Sequence, residues 1–387
     1  MDSLLRSNYY FLCIVPDDYR RLKRINRYRI EEIIMSKPKV CIYIPIDKSQ
    51  ESHFELEKEG CEVLLGSYNW RTGVDQKAVL ELAKGTNALM GATIKKAQID
   101  KYFLQQLPDL RIISKYTIGV EDIDLDAATD AGVIVTHCPT EANWGGVAEG
   151  TIALILSLTK KISERDHHVK QGGWRNNDLM GTYLGKRGDG YKGVTIGIIG
   201  LGRVGSRVAD LLIPWNTSVI AYDPYISDND FINHKAKKVD LDYLLKESDV
   251  ISIHCNLTNE TKWMLSKENI SKMKKSAYLI NTARGQIINL DDLLNALDQK
   301  KLLGAALDVL PEEPPAINAN IRKYRGNLIL SPHMVSANYP GTLVPAIPWA
   351  TKAILDAFRG IVPEYVCNED VIPKWKDRFK NNILIKS

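Results

Sequence analysis

The sequence predicts an α/β protein built from two doubly wound parallel sheets. The chain has 387 residues, which is long for a single hydrophobic core and favours two domains. Short apolar runs alternate with amphipathic segments in two successive blocks, and repeated strand–helix units are typical of parallel sheets covered on both faces. The second block opens with a Gly-x-Gly-x-x-Gly sequence at residues 200–205. These observations together predict the fold class.

Composition indicates an ordinary globular protein. It is 44% apolar and 25% charged, and no uninterrupted apolar run reaches the ~18 residues of a membrane span. A formal net charge of +4 is mild for this length and argues against a dedicated nucleic-acid surface. The six cysteines are scattered without a Cys-x-x-Cys pair, which predicts reduced thiols and no metal site. We therefore expect a cytoplasmic protein with neither a membrane nor a nucleic-acid partner.

Residues 1–34 differ from the rest of the chain. The apolar run 9–15 is too short and wrongly flanked for a signal peptide. Basic residues follow at 20–24, but nearby acidic residues argue against a transit peptide. Met35 closely precedes the first strand-like run. Our hypothesis is that residues 1–34 form an extension outside the fold or result from a misassigned start. Mass spectrometry of the native N-terminus would test the misassignment, which a native protein that begins before Met35 would contradict.

The first block contains five strand-like runs separated by helical patterns such as 75–83 and 99–107. The runs are 40–44, 61–65, 88–90, 110–115 and 132–135. No glycine-rich fingerprint occurs in this block. It therefore predicts a parallel sheet without a dinucleotide site of its own.

The second block predicts six strands, which is the complete Rossmann pattern. The strand-like runs are 194–199, 218–222, 250–253, 277–280, 304–307 and 328–330. The longest helical pattern, 147–171, precedes these strands, and its length suits a helix that connects two domains. The polar, glycine-rich residues 175–192 predict a loop. A final helix is expected at 342–358, followed by a charged tail with two prolines.

The glycine-rich sequence joins a predicted strand to a predicted helix. Gly200 turns the chain, Gly202 allows a pyrophosphate to approach the backbone, and Gly205 allows close packing of helix on strand. The helix N-terminus offers N–H groups to the phosphates. Asp223 ends the next strand about 20 residues later, the spacing of a carboxylate that binds ribose hydroxyls and repels a 2′-phosphate. The pattern favours NAD over NADP, and the alternative is a glycine-rich turn in a generic βαβ unit.

Polar side chains follow the remaining strands of the second block. Ligands of an open parallel sheet bind outside the carboxyl ends of its strands. One polar residue there means little, but several beside a dinucleotide site predict an active-site rim. The residues are His254, Asn281–Gly285, Asp308 and Ser331–His333.

Two of the rim residues, together with Glu313 in the segment after Asp308, have the chemistry for hydride transfer to a 2-keto acid. Arg284 is suited to bind a carboxylate and polarise a carbonyl. His333 is suited to exchange the hydroxyl proton, and Glu313 is suited to orient the imidazole and stabilise its charged form. Each has a structural alternative: Arg284 in a salt bridge, His333 in a surface loop, and Glu313 with Glu312 in a solvated acidic turn.

At these residues the chain resembles the D-isomer-specific 2-hydroxyacid dehydrogenases, from about residue 39 to about residue 360. The motifs that carry the resemblance are Gly119–Asp124, Val147–Glu149, Gly200–Gly205, Asn281–Gly285, Asp308–Val309 with Glu313–Pro314, and Pro332–His333. The resemblance implies a Rossmann NAD-binding domain inserted into a flavodoxin-like substrate domain. The expected divisions are an extension at 1–34, a first substrate segment at 35–139, an NAD-binding domain at 140–334 and a second substrate segment with the tail at 335–387.

The resemblance also implies roles for individual residues. Arg284 matches the substrate-binding arginine, and His333 with Glu313 matches the acid/base pair. Backbone amides around Ile118 and Gly119 match the loop that binds the substrate carboxylate. The cofactor would be held by Gly200, Gly202, Arg203, Val204, Gly205, Asp223, His254, Thr282, Ala283 and Asp308, with Asp308 on the nicotinamide carboxamide.

The leading prediction is an NAD-dependent oxidoreductase that interconverts a small 2-keto acid and the D-2-hydroxy acid, and we expect a homodimer, as in many relatives. Two alternatives share this fold: an NAD-binding corepressor-like protein, and a dehydrogenase of an inorganic oxyanion such as phosphite. Thr117, Glu121 and Met334 depart from the usual family sequence. They leave the identity of the substrate open.

Overall fold

A computed structural model describes most of the chain. The described residues are 37–46, 53–67, 74–93, 97–338, 341, 343–380 and 382–385. They form two compact units. The first unit comprises the residues up to Lys115, Glu121–Thr136 and those from Ala350 onward, and the second comprises Tyr116–Val120 and His137–Trp349. The predicted extension at residues 1–34 lies outside the described residues.

The first unit contains a five-stranded parallel sheet. Its strands are β1 (Lys39–Ile44), β2 (Glu62–Leu65), β3 (Ala88–Gly91), β4 (Ile112–Lys115) and β5 (Ile134–Thr136). Their spatial order is β2-β1-β3-β4-β5, the flavodoxin-like order of doubly wound sheets. Four of its helices are α1 (Phe54–Lys58), α2 (Gln76–Ala83), α3 (Lys101–Gln105) and α4 (Leu125–Ala131). The predicted fold class is confirmed here, and all five predicted strands form.

The second unit contains a seven-stranded parallel sheet. Its strands are β6 (Thr195–Ile199), β7 (Ser218–Tyr222), β8 (Lys237–Lys238), β9 (Val250–Ile253), β10 (Tyr278–Asn281), β11 (Gly304–Leu307) and β12 (Leu328–Leu330). Their order is β12-β11-β10-β9-β6-β7-β8, which is the Rossmann arrangement with one added strand. The six predicted strands form, and the sequence analysis missed only β8, whose two exposed lysines lack an apolar pattern.

Helices cover both faces of the second sheet. They are α5 (Glu141–Thr159), α6 (Ile162–Lys170), α7 (Arg203–Leu212), α8 (Asp228–Asn233), α9 (Leu241–Glu247), α10 (Lys267–Ser271), α11 (Leu290–Asp298) and α12 (Asn320–Lys323). Separate apolar clusters lie against the two faces, with Ile196 and Ile198 in one and Ile251 and Ile253 in the other. All four side chains are fully buried, as expected for a parallel sheet covered on both sides.

The single long helix predicted at 147–171 is wrong. The structure has two helices there, α5 and α6, and the first begins at Glu141. Lys161 separates them in the left-handed conformation, with φ of 53°. This conformation is costly for a lysine and interrupts the hydrogen bonding of the helix, although it leaves the hydrophobic periodicity unchanged.

The C-terminal segment also differs from the prediction. Helix α13 (Ile347–Phe358) follows a 3₁₀ turn, since Pro348 lacks an N–H and is tolerated only in a first helical turn. The predicted tail contains a further helix, α14 (Ile372–Phe379). Trp375 in this helix is 1% exposed, and its indole N–H donates a hydrogen bond to the Arg111 carbonyl at 3.1 Å. The tail is therefore part of the core of the first unit.

Two further observations concern the cysteine side chains and membrane-spanning helices. The cysteines of the described residues form no disulfide with one another; they are Cys41, Cys61, Cys138, Cys255 and Cys367. Within the described part of the chain, no helix combines the length and the apolar character needed to cross a membrane.

Candidate active site

The glycine loop after β6 forms a cradle in which Gly202 is exposed between the buried Gly200 and Gly205. Gly200 has φ of 89°, and a Cβ atom there would lie 2.6 Å from the Cys255 nitrogen. A Cβ on Gly205 would lie 2.0 Å from the Gly200 oxygen, so only glycine allows α7 to pack this closely. Gly202, in contrast, has no atom within 4 Å of such a Cβ. The backbone at Gly202, in front of the N-terminus of α7, therefore faces open space.

The residues that flank this cradle make their contacts within the second unit. Arg203 is exposed at the first position of α7, whereas Val204 is half-buried against the core. Asp223, at the end of β7, accepts a hydrogen bond from the Leu201 N–H at 2.9 Å. Its other oxygen accepts from the Tyr225 N–H at 3.0 Å. Asp223 is thus fastened to the glycine loop, where an adenosine ribose would follow the pyrophosphate.

His254 follows β9 and is a neutral imidazole. Its Nε2 lies 2.8 Å from the Ser252 hydroxyl. Burial lowers its pKa from 6.5 to about 3. Its Nδ1 atom is buried and has no hydrogen-bond partner among the described residues.

The turn after β10 is organised by Asn281. This fully buried amide donates to the Arg284 carbonyl at 2.9 Å and accepts from the Ala283 N–H at 3.0 Å. The Thr282 hydroxyl lies 3.0 Å from the Thr151 hydroxyl of α5. Arg284 itself is half-buried, and its Nη1 donates to the Ala283 carbonyl at 2.7 Å.

The turns after β10 and β11 are in direct backbone contact. A Cβ atom on Gly285 would lie 2.0 Å from the Leu310 carbonyl carbon. The Leu310 N–H donates a hydrogen bond to Glu313 Oε1 at 2.8 Å. The glycine therefore brings the turn that carries Arg284 against the turn that carries Glu313.

Glu313 and His333 form a hydrogen-bonded pair. Glu313 Oε2 lies 2.8 Å from His333 Nδ1, and the two side chains are 16% and 45% exposed. Because a carboxylate only accepts, Nδ1 carries a hydrogen, and Nε2 is the nitrogen that can exchange a proton with a ligand. His333 has φ of 57°, a strained backbone conformation of the kind that clusters at functional sites.

Asp308 holds the segment that carries His333. It is 3% exposed, and its carbonyl accepts a hydrogen bond from the His333 N–H at 2.8 Å. One carboxylate oxygen accepts from the N–H groups of Met334 at 3.0 Å and Val335 at 3.2 Å. This structural task was missed by sequence analysis, which assigned Asp308 to the cofactor only.

Two glycines of α5 receive the same segment. A Cβ on Gly150 would lie 2.6 Å from the Val335 oxygen, and one on Gly146 would lie 3.1 Å from the Ser336 oxygen. They lie about one helical turn apart, so they face the same side of the helix. The sequence contains this signal, but sequence analysis did not use it.

The loop of Ile118 and Gly119 belongs to the second unit. The Thr117 carbonyl accepts from the Cys138 N–H at 3.4 Å, and the Ile118 carbonyl lies 3.1 Å from His137 Nδ1. The Thr117 hydroxyl donates to the Gly119 carbonyl at 2.8 Å. His137 was not singled out by sequence analysis, since its partner lies far away along the chain.

All the site residues expected from the sequence therefore lie in the second unit. Those after β10 and β11 are joined by direct contacts, and Asp223 is joined to the glycine loop. Within the described residues, no group of three or more His, Cys, Asp or Glu side chains is arranged to hold a metal ion.

Comparisons with known proteins agree with this geometry. Residues 152–335 match the family model described as the D-isomer specific 2-hydroxyacid dehydrogenase, NAD binding domain. The chain is 34% identical over 343 residues to a glyoxylate reductase of Thermofilum pendens, covering 87% of this chain and 96% of that protein. It is also 34% identical over 299 residues to a D-3-phosphoglycerate dehydrogenase of Archaeoglobus fulgidus, covering 77% of this chain and 53% of that protein.

Solved structures give the same result for the fold. The TT0316 protein from Thermus thermophilus superposes with a TM-score of 0.73 at 28% identity, covering 85% of this chain and 99% of that one. The matched family model, the long alignments and the Rossmann unit are consistent with one another. The chain belongs to the D-isomer specific 2-hydroxyacid dehydrogenase family and is an NAD-dependent oxidoreductase that interconverts 2-keto acids and D-2-hydroxy acids.

Proposed function

We propose that this enzyme uses NADH to reduce a small 2-keto acid, of which glyoxylate is the first candidate. The observation that carries the proposal is the His333–Glu313 pair at 2.8 Å, beside the turn of Arg284. The similarity to glyoxylate reductases supports the choice of substrate. The relatives named above are reductases and dehydrogenases, so the corepressor-like and phosphite-type alternatives are not favoured.

The residues around the glycine loop fit NADH. The open backbone at Gly202 and the exposed Arg203 would receive the pyrophosphate, and Asp223 would receive the ribose hydroxyls. Thr282 and Ala283 would line the nicotinamide side, together with Asp308 and His254. Bound NADH supplies the hydride.

The substrate would be held by its carboxylate and its carbonyl oxygen. The backbone amides of Ile118 and Gly119 would bind the carboxylate, and Arg284 would bind both the carboxylate and the carbonyl oxygen. A guanidinium is suited to this task because its planar fork donates parallel hydrogen bonds and stays charged. The negative charge that develops on the carbonyl oxygen during reduction is stabilised by the same cation.

His333 would deliver the proton. Its Nδ1–H is bonded to Glu313, so a protonated imidazole presents Nε2–H to the carbonyl oxygen. As the alcohol forms, the Nε2 proton moves to that oxygen and leaves a neutral imidazole. The Glu313 carboxylate stabilises the charged form before the transfer and keeps the ring in one orientation.

We extend the proposal to the organisation of the chain. Residues 35–139 and 335–387 would form the substrate domain, and residues 140–334 would bind NAD. We also propose a cytoplasmic homodimer. Exposed apolar side chains at Val169, Trp174 and Met180 border a groove of about 410 Å³ in the second unit, and they support association with a second copy.

Spectrophotometric NADH oxidation tests the substrate proposal. Glyoxylate, hydroxypyruvate, pyruvate, a branched 2-keto acid and 3-phosphohydroxypyruvate would be compared, with NADPH in parallel. We expect the largest kcat/KM with glyoxylate or hydroxypyruvate, a D-configured product from hydroxypyruvate, and a preference for NADH. Tight NADH binding without turnover of any of these acids would overturn the proposal. Size-exclusion chromatography with light scattering tests the dimer.

A further inference from the structure

The loop 117–119 presents its carbonyl groups to one side. The Thr117 carbonyl accepts from the Cys138 N–H, and the next carbonyl, of Ile118, faces His137 at 3.1 Å. Both donors belong to one short segment after β5. Two successive carbonyls are therefore directed at the same part of the unit.

Peptide planarity turns this arrangement into a statement about the amides. In a trans peptide the C=O of one residue and the N–H of the next point in opposite directions. The N–H groups of Ile118 and Gly119 are thus directed away from the 137–138 segment. Successive N–H groups that point the same way form a concave site for an anion.

The His137 side chain forms a hydrogen bond with the Ile118 carbonyl, with Nδ1 3.1 Å from the oxygen. A carbonyl oxygen only accepts, so Nδ1 of His137 carries the hydrogen. Burial lowers the pKa of His137, and the positive charge of nearby Arg203 lowers it further. The ring is therefore a neutral donor at pH 7, with its Nδ1–H committed to the loop.

We propose that His137 is a positioning residue for the substrate carboxylate. Its hydrogen bond fixes the peptide plane between Ile118 and Gly119, and thereby the direction of the Gly119 N–H. A rotation of this plane would direct a carbonyl oxygen at the carboxylate and replace attraction with repulsion. The inference rests on the proposed function, because it assumes that the loop binds the carboxylate of a 2-keto acid.

Removal of the His137 donor is expected to raise the KM for the 2-keto acid. Binding of the carboxylate is the same in the ground state and in the transition state, so weakening it raises KM and leaves kcat nearly unchanged. We expect the KM for the 2-keto acid to rise about tenfold when the donor is removed, which corresponds to about 1.4 kcal/mol. The Kd for NADH should change less than about twofold, since the loop contacts no part of the cofactor in this proposal.

Two nearly isosteric variants separate the hydrogen bond from the shape of the side chain. His137→Asn keeps an N–H donor at the position of Nδ1, whereas His137→Leu has a methyl group there. His137→Phe keeps the ring without the donor and carries the test if the leucine variant does not fold. The matched control is His234→Leu, which removes a half-buried histidine that pairs with Asp210 at 2.9 Å in the same unit.

Full-length variants would be assayed for kcat and KM, for NADH binding by fluorescence, and for binding of oxamate to the enzyme–NADH complex. Oxamate carries the same carboxylate and is not reduced, so its Kd reports on the loop alone. The proposal expects weaker oxamate binding and a higher KM in the leucine and phenylalanine variants, with recovery in the asparagine variant and no change in His234→Leu.

Two results would overturn the inference. One is an unchanged KM and oxamate Kd in both variants without a donor. The other is an equal loss in the asparagine and leucine variants, which indicates a packing role for the ring. Failure of the proposed function has a different signature, because the wild-type enzyme would then turn over no 2-keto acid.

Discussion

Two hydrogen-bonded pairs of a basic side chain and a carboxylate have similar lengths and opposite surroundings. Lys115 Nζ lies 2.6 Å from Asp122 in the first unit, with side chains 0% and 3% exposed. His333 Nδ1 lies 2.8 Å from Glu313 in the second unit, with side chains 45% and 16% exposed. The distance alone therefore says little about what each pair does.

The remaining hydrogen-bonding groups distinguish the two pairs. Lys115 also donates to the Tyr43 hydroxyl and to the Ala92 carbonyl, each at 3.1 Å, so all three ammonium hydrogens are used inside the core. Lys115 and Asp122 border residues 116–121, and their contact joins the two ends of that segment. His333 uses Nδ1 for its hydrogen bond to Glu313. Its other ring nitrogen, Nε2, belongs to a side chain that is 45% exposed. The buried pair is thus suited to hold structure, and the exposed pair to exchange a proton.

The largest expected effect comes from removing the exposed imidazole. General acid–base catalysis contributes about 10²–10⁴-fold to rates. We predict that His333→Ala lowers kcat for the 2-keto acid by this order, while the Kd for NADH stays within about twofold of wild type. Steady-state kinetics and fluorescence titration measure the two quantities.

His234→Ala is the control for that prediction. Like His333, His234 pairs with a carboxylate through Nδ1 and is partly exposed, but its partner Asp210 lies on α7. This variant should retain wild-type kcat. A His333→Ala enzyme with near-normal turnover would remove His333 from the mechanism and with it the contrast between the two pairs.

Substitutions in the buried pair of Lys115 and Asp122 should change the stability of the first unit. Removing one partner of a buried ion pair leaves an uncompensated charge and costs about 3–5 kcal/mol, whereas replacing both with apolar groups is often close to neutral. We predict that Lys115→Met destabilises the first unit by this amount and that Lys115→Met with Asp122→Leu recovers most of it. Hydrogen exchange of the β4 amides measures the local free energy of opening. Equal losses in the single and double variants would show that the charges are not what holds the segment.

Asp223 is an intermediate case, a carboxylate without a cation. Among the described residues it forms no ion pair and accepts from the N–H groups of Leu201 and Tyr225. Its negative charge is therefore left to act on a ligand. We predict that Asp223→Ser lowers the preference for NADH over NADPH by about tenfold or more, roughly 1.4 kcal/mol, because repulsion of the 2′-phosphate is lost. Comparison of kcat/KM for the two cofactors measures it, and an unchanged ratio would contradict this role for Asp223.

Much of this arrangement was predictable because it depends on local spacing. The positions of Gly200, Gly202 and Gly205 follow from a turn, an open backbone and a close helix contact, which are properties of consecutive residues. The candidate rim residues were found because parallel strands bring their carboxyl ends to one edge. The two sheets were predicted because each strand except β8 has its own apolar run.

The missed features depend on contacts between distant segments or on single backbone angles. The hydrogen bond from His137 to Ile118 and those from Met334 and Val335 to Asp308 join residues that no local pattern connects. The break between α5 and α6 depends on one left-handed residue, Lys161. Hydrophobic periodicity carries no information about either kind of feature.

The last expected effect is confined to acidic pH and concerns His254, whose imidazole is less exposed than that of His333. The pKa of His254 falls from 6.5 to about 3 in the folded chain because of burial. Between these values the unfolded chain binds one more proton than the folded chain, so the free energy of unfolding decreases as the pH falls. The contribution of the neutral His254 to the free energy of unfolding is complete above pH 6.5 and is lost at up to about 1.4 kcal/mol per pH unit below it.

The variant His254→Gln removes the titrating group and keeps a hydrogen-bond partner for Ser252. It should therefore reduce the slope of the free energy of unfolding against pH in this range. Hydrogen exchange of the β9 amides at several pH values between 4 and 7 would measure it. Parallel curves for the variant and the wild type would mean that His254 takes up its proton in the folded state as readily as in the unfolded chain, and that burial does not lower its pKa.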